Sequence, residues 1–167
     1  MFIEYFKKLS KDYAFEKIKL KQNNNLLNPN IRATGCYFRS LIGIAETKFQ
    51  RYLTSKQINE LYDFCIQNPE IMLPNCYMNE KLTKVVELAA LKFSHSIKCY
   101  QLGIYQGNEF IFWNNYNKNY TDTIIQWKTE MGTHFTQADK NMNEIFDPWQ
   151  GKIKKLYKTK IILYKVV

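Results

Sequence analysis

An α+β domain, with N-terminal helices packed on a C-terminal antiparallel β-sheet, is predicted by three features of the 167-residue chain. Apolar residues recur at helical spacing through the first half, and runs rich in β-branched and aromatic residues take over from Ile97 onward. A hydrophobic content of 46% is enough to build a core without disulfide or metal staples. Helices and strands that are segregated along the chain favour hairpin-linked strands over βαβ units.

Phe2, Tyr5, Phe6 and Leu9 follow helical spacing, so a first helix is predicted to run toward Lys19 until the polar run Gln22-Asn23-Asn24-Asn25 breaks it. Residues 1–29 then read as a packed helical extension and linker, ending in the loop Asn28-Pro29-Asn30, and residues 30–167 as the main domain. A second helix starts near Cys36 with Phe38, Leu41, Ile42, Ala45 and Phe49 on one face. A third opens at Thr54, where T-x-x-Q with Gln57 fits a capping box, and turns Ile58, Leu61, Tyr62 and Cys65 inward. A fourth, over 80–93, carries Leu82, Val85, Val86, Ala89 and Ala90. The strand candidates are IKCYQLGIYQ, EFIFWNN, TIIQWK, THFTQA, NEIFDPW and the terminal KLYKTKIILYKVV. Phe110-Ile111-Phe112-Trp113 reads as a buried strand, followed by a loop over 114–120.

The net charge of +9 is almost wholly lysine, with Arg only at 32, 39 and 51. Lysine is a hydrated point charge and lacks the planar fork that recognises phosphates and bases, so a solvated basic surface is favoured over nucleic-acid binding. Four cysteines, Cys36, Cys65, Cys76 and Cys99, form no CxxC pair. The N-terminus MFIEYFKKLSKDY lacks an export-type apolar run, and no window approaches the roughly 18 apolar residues of a membrane span. A cytoplasmic location is expected. Glycine loops for phosphates or dinucleotides are missing, so no cofactor is expected. His95 with Cys76 and Cys99 lacks the spacing of a zinc site, so no metal is expected either. Cys65 sits at core spacing and reads as a packing residue.

The segment from Thr133 to Trp149 reads as a hairpin. If 139–142 form a four-residue loop, Ala138 pairs with Asn143 and His134 falls opposite Asp147 on one sheet face. Opposed residues have Cβ atoms about 4.5 to 5.5 Å apart, within reach of a carboxylate–imidazole hydrogen bond. Such a carboxylate fixes the imidazole tautomer and stabilises the imidazolium. Pro148, without an N–H, should end the strand just after Asp147.

Gly35-Cys36-Tyr37-Phe38-Arg39-Ser40-Leu41 places a cysteine at a helix start, where free N–H groups and the helix dipole favour a thiolate over a thiol. At 100° per residue, Cys36, Ser40, Gly43 and Thr47 form a small-residue stripe away from the apolar face. A sheet carrying His134 could approach closely along that stripe. A cysteine at a helix N-terminus, with a later His opposite an Asp, is one working arrangement for nucleophilic catalysis.

GCYFRSL followed by THFTQAD and EIFDPW resembles the papain-like cysteine peptidase and amidase superfamily, particularly its bacteriocin-leader-peptidase-like and cell-wall-amidase-like bacterial branches. The resemblance spans roughly 30–149. The wording is also similar to a plasmid-borne spirochaete family of uncharacterised proteins. It implies a papain-like fold and a Cys36–His134–Asp147 triad that cleaves a peptide or amide bond in a peptide, protein or peptidoglycan-type substrate. The superfamily's oxyanion-stabilising Gln lies about six residues before its nucleophile, a position held here by Asn30. Trp149 is placed to cover the His–Asp pair or to pack on a core edge. Two other functions remain open at this level: a papain-like fold with a decayed site serving as a binding or host-interaction module, and a basic nucleic-acid-binding protein.

Overall fold

The computed structural model describes residues 15–113 and 119–167. Much of the predicted first helix lies outside these residues. Its end, 15–19, is not helical: Glu16 instead bridges Tyr52, its N–H donating to the Tyr52 carbonyl at 2.9 Å. Helix α1 spans Pro29–Thr34, where the sequence reading had only a loop. Asn28 caps it by accepting the Asn30 N–H, and Pro29 occupies the first turn, where no intrahelical N–H bond is lost.

Gly35 alone separates α1 from α2, Cys36–Phe49. A Cβ at Gly35 would stand 2.5 Å from the Ile31 carbonyl oxygen, so the junction that sets Cys36 at its helix start tolerates only glycine. Helix α3, Ser55–Ile66, begins with the predicted capping box, Thr54 and Gln57 each bonding the other's backbone. Helix α4 covers only Lys84–Lys92 of the expected 80–93. The preceding residues close i→i−3 turns instead, with Leu82, Lys84 and Val85 donating to Asn79, Lys81 and Leu82.

Among the described residues six strands follow: β1 Cys99–Gln106, β2 Glu109–Phe112, β3 Asp122–Thr129, β4 Gly132–Ala138, β5 Glu144–Phe146 and β6 Lys155–Val166. They form one antiparallel sheet in the order β2-β1-β6-β3-β4-β5, so the fold is α+β. The C-terminal strand β6 lies inside the sheet between β1 and β3. Ile124, Ile162, Tyr164 and Val166 join the helices' Phe38, Leu41, Ile58, Leu61, Val86 and Ala89 in the main core. Each such large aliphatic or aromatic side chain removed from water contributes about 1.5–3 kcal/mol. Ile125, Ala138, Ile161 and Leu163 form a smaller cluster. The predicted buried strand at Phe110 is an exposed edge instead, with Phe110 45% and Ile111 46% accessible. Apolar, β-prone residues define a strand but not whether it lies at the centre of a sheet or at its edge.

The small-residue stripe of α2 receives β4. Ser40 donates to the Phe135 carbonyl at 3.4 Å, and Gln137 Nε2 donates to Thr47 Oγ1 at 3.0 Å. A Cβ on Gly43 would meet Gln137 Oε1 at 2.5 Å, so any larger residue there would push the Gln137 amide out of its present place.

Residues 19–23, within the packed extension and linker expected over 1–29, form a strap bound to the domain. Lys19 Nζ donates to Gln137 Oε1 at 2.6 Å and to Gly43 O and Thr47 Oγ1, each at 3.2 Å. Lys21 bonds the Asp147 carbonyl, the Gln22 N–H donates to Pro148 O at 2.6 Å, and Asn23 exchanges two bonds with Gln150. From the other side, Arg39 Nε holds the Leu20 carbonyl at 2.8 Å. Arg39 is wholly buried and paired with the equally buried Glu46, Nη1 to Oε2 at 2.9 Å and Nη2 to Oε1 at 3.2 Å. Only the second of these contacts has hydrogen-bond geometry; the first is a charge contact.

Candidate active site

The β4–β5 hairpin brings His134 to Asp147, although not through the predicted ladder. The loop closes with Met142 N–H donating to Asp139 O and Asp139 N–H to Asn143 O. Asp139 Oδ1 accepts the N–H groups of Asn141 and Asn143, and Met142 takes the left-handed conformation at φ 65°. Ala138 consequently pairs with Glu144 instead of Asn143, and a bulge then pairs Gln137 with Phe146. Two one-residue departures add to two. Because side chains alternate with period two, the face assignment survives while the register does not. Strand β5 ends at Phe146, and Asp147 reaches His134 from the turn beyond it.

His134 Nε2 and Asp147 Oδ1 are 2.7 Å apart. The same Oδ1 accepts the Trp149 N–H at 3.0 Å, and Oδ2 accepts Lys155 Nζ at 2.7 Å. Lys155 also contacts both Glu144 carboxylate oxygens at 2.8 Å. Burial works against the Asp147 charge, but the bonds from His134, Lys155 and Trp149 outweigh it and hold the carboxyl well below its usual range. With Nε2 taken by Asp147, Nδ1 is the imidazole nitrogen left free, and Cys36 is near enough to the ring to help raise its pKa. Burial disfavours the imidazolium, but the Asp147 and Cys36 hydrogen bonds and their charges dominate and raise the His134 pKa to about 9. His134 therefore carries its proton at neutral pH, beside an ionised Asp147.

Cys36, His134 and Trp149 line one cavity of about 830 Å³. Cys36 is partly accessible, whereas Cys65, Cys76 and Cys99 are buried. Burial pushes the Cys76 thiol up to about 12 and those of Cys65 and Cys99 higher still. Cys36 is the first residue of α2, so its N–H precedes the helical hydrogen-bond ladder. Tyr37 stacks on Phe135 with ring centroids 4.4 Å apart and so ties the cysteine's helix to the histidine's strand.

Asn30 is not part of this group. It lies in α1 with its amide donating to Tyr62 Oη at 2.8 Å, and it does not line the cavity. The rest of that helix and Gly35 separate it from Cys36, and counting back along the sequence cannot reveal such a helical turn. The amide that does line the cavity belongs to Gln22, which is 2% exposed. Its Nε2 donates to the Arg32 carbonyl at 3.3 Å, and its Oε1 is buried without a partner. Gln22 stands outside any motif, and only the strap's tertiary pairing with 147–150 brings it here. Lys155, the second anchor of Asp147, was equally invisible in the sequence.

Among the described residues, no group of three or more His, Cys, Asp or Glu side chains is gathered as a metal site, and no helix is long and apolar enough to cross a membrane. The chain matches no protein-family model, no curated protein and no solved structure.

Proposed function

We propose that the protein is a cytoplasmic thiol hydrolase of papain-like architecture that cleaves a peptide or amide bond, in a peptide, protein or peptidoglycan-type substrate. The observation that carries this reading is the set gathered at one cavity: the partly accessible Cys36 at a helix start and His134, which Asp147 holds at 2.7 Å, in the same walls. Cys36 sulfur, its proton passed to His134, attacks the substrate carbonyl carbon, and the carbonyl electron pair moves to oxygen. That oxyanion is met by the Cys36 backbone N–H, with the Gln22 amide as second donor in the place where Asn30 was expected. His134 gives its proton to the departing amine as the C–N bond breaks and the thioester forms. Water then attacks the thioester, His134 takes its proton, and Cys36 is released with the acid product. Asp147 fixes the tautomer and ring angle of His134 throughout.

The test is hydrolysis of a panel of fluorogenic peptide amides and peptidoglycan stem peptides. Cys36→Ala and His134→Ala should each abolish turnover. Turnover that persists in Cys36→Ala would refute the assignment.

A further inference from the structure

Among the described residues, the walls of the Cys36 cavity contain no Asp or Glu, and apart from His134 their one ionisable basic side chain is Lys160. Lys160 lies on β6 directly opposite Gln126 of β3, which in turn lies opposite Phe135, the residue after His134. Adjacent strands are about 4.8 Å apart, so the Lys160 backbone stands about 10 Å from the strand that carries His134, and both residues line the same cavity. Lys160 is half-buried and has no ion-pair or hydrogen-bond partner among the described residues. Gln126 Oε1, in the same wall, is buried without a donor. A buried acceptor and a half-buried cation on neighbouring strands, neither with a partner among the described residues, can each take a ligand group of complementary chemistry. Next to them the wall is apolar: Ile162 is two residues along β6 on the same face as Lys160, and Ile104 of β1 is paired with it.

We propose that Lys160, Gln126 and the Ile104–Ile162 pair form a subsite for a substrate residue that presents a carboxylate to Lys160, an N–H to Gln126 and its aliphatic portion to the isoleucines. This rests on the thiol-hydrolase reading and adds to it a substrate class: amides with an anionic residue close to the bond that is cut. The carboxylate is either the chain terminus of that residue or an acidic side chain.

Chloroacetyl probes that alkylate Cys36 test this on the full chain. N-chloroacetyl-leucine carries a terminal carboxylate, N-chloroacetyl-glutamic acid α-amide a side-chain carboxylate, and N-chloroacetyl-leucinamide no charge. Second-order rates of Cys36 labelling are read by peptide mass spectrometry. At least one anionic probe should outpace the neutral one by about tenfold, as expected of one charge-assisted contact, and which one does so identifies the source of the carboxylate. The anionic-to-neutral ratio should fall to about one in Lys160→Met and below one in Lys160→Glu. Taking the ratio within each variant cancels any loss of folded protein. A ratio near one in the wild type, or one that Lys160→Glu leaves unchanged, overturns the subsite while a fast, His134-dependent Cys36 still stands. A Cys36 unreactive toward all three probes overturns the subsite together with the hydrolase reading.

Discussion

Replacing Lys19 by methionine should change the pH dependence of stability in a direction and by an amount fixed by the structure. Burial beside α2 and β4 is the main cause that lowers the Lys19 pKa from 10.5 to about 7, with Glu46 opposing it and Arg39 and Lys21 adding to it. A lysine with a depressed folded-state pKa contributes stability that is fully present above its unfolded pKa and lost as pH falls through the folded one. Between about pH 7 and 10.5 the unfolded chain holds the proton and the native chain does not, so raising pH favours folding. The slope for one proton is about 1.4 kcal/mol per pH unit. His134 and the buried thiols titrate with the opposite sign, but they are common to both proteins and cancel on subtraction. The unfolding free energy of the wild type minus that of Lys19→Met should therefore rise by about 2 kcal/mol between pH 8 and 9.5, measured by urea denaturation. A difference that stays flat over that range would refute a buried, deprotonating Lys19. With it would go the account of how the strap that carries Gln22 is seated.

Glu46→Gln leaves Arg39 buried without its counter-charge and should lower stability by about 3–5 kcal/mol by chemical denaturation, while Arg39→Met/Glu46→Leu together should recover most of the loss. Gln22→Ala should reduce kcat on any amide the wild type hydrolyses by about 10²-fold, whereas Asn30→Ala should change it less than about threefold; the reverse order would restore Asn30 to the oxyanion site. His134 has a folded pKa of about 9, raised from 6.5, so it contributes stability that is present below pH 6.5 and lost as pH rises through 9. The stability advantage of the wild type over His134→Asn should accordingly shrink across that interval, as read from denaturation midpoints at pH 6 and pH 9.5.

Local signals carried most of the fold. The Thr54–Gln57 cap, the apolar faces of α2 and α3 and the positions of all six strand runs were legible because each depends on a few neighbouring residues. Strand order was not, since it depends on contacts far apart in sequence: β6, the last strand, sits between β1 and β3, and Phe110 and Ile111 fall on an edge. The site divides the same way. Cys36 was legible from a helix start, and the small stripe of Ser40, Gly43 and Thr47 from helical geometry. The His134–Asp147 contact was legible although its register was not, because a left-handed Met142 loop and a bulge at Gln137/Ala138 shift the pairing by two residues and keep the face. Gln22, Lys21 and Lys155 reach the site through tertiary bonds to residues 126 positions away or through the Asp147 carboxylate, and no spacing rule encodes them.

The most direct test of the central claim is the pH profile of Cys36 alkylation by iodoacetamide, with all four thiols followed by peptide mass spectrometry in the wild type, His134→Ala and Asp147→Ala. The account predicts that Cys36, partly accessible where the others are buried, reacts well ahead of Cys65, Cys76 and Cys99. It predicts an inflection near pH 9 from His134, lost in His134→Ala and weakened in Asp147→Ala. A Cys36 no faster than the buried thiols, or one whose reactivity His134→Ala leaves unchanged, would contradict it.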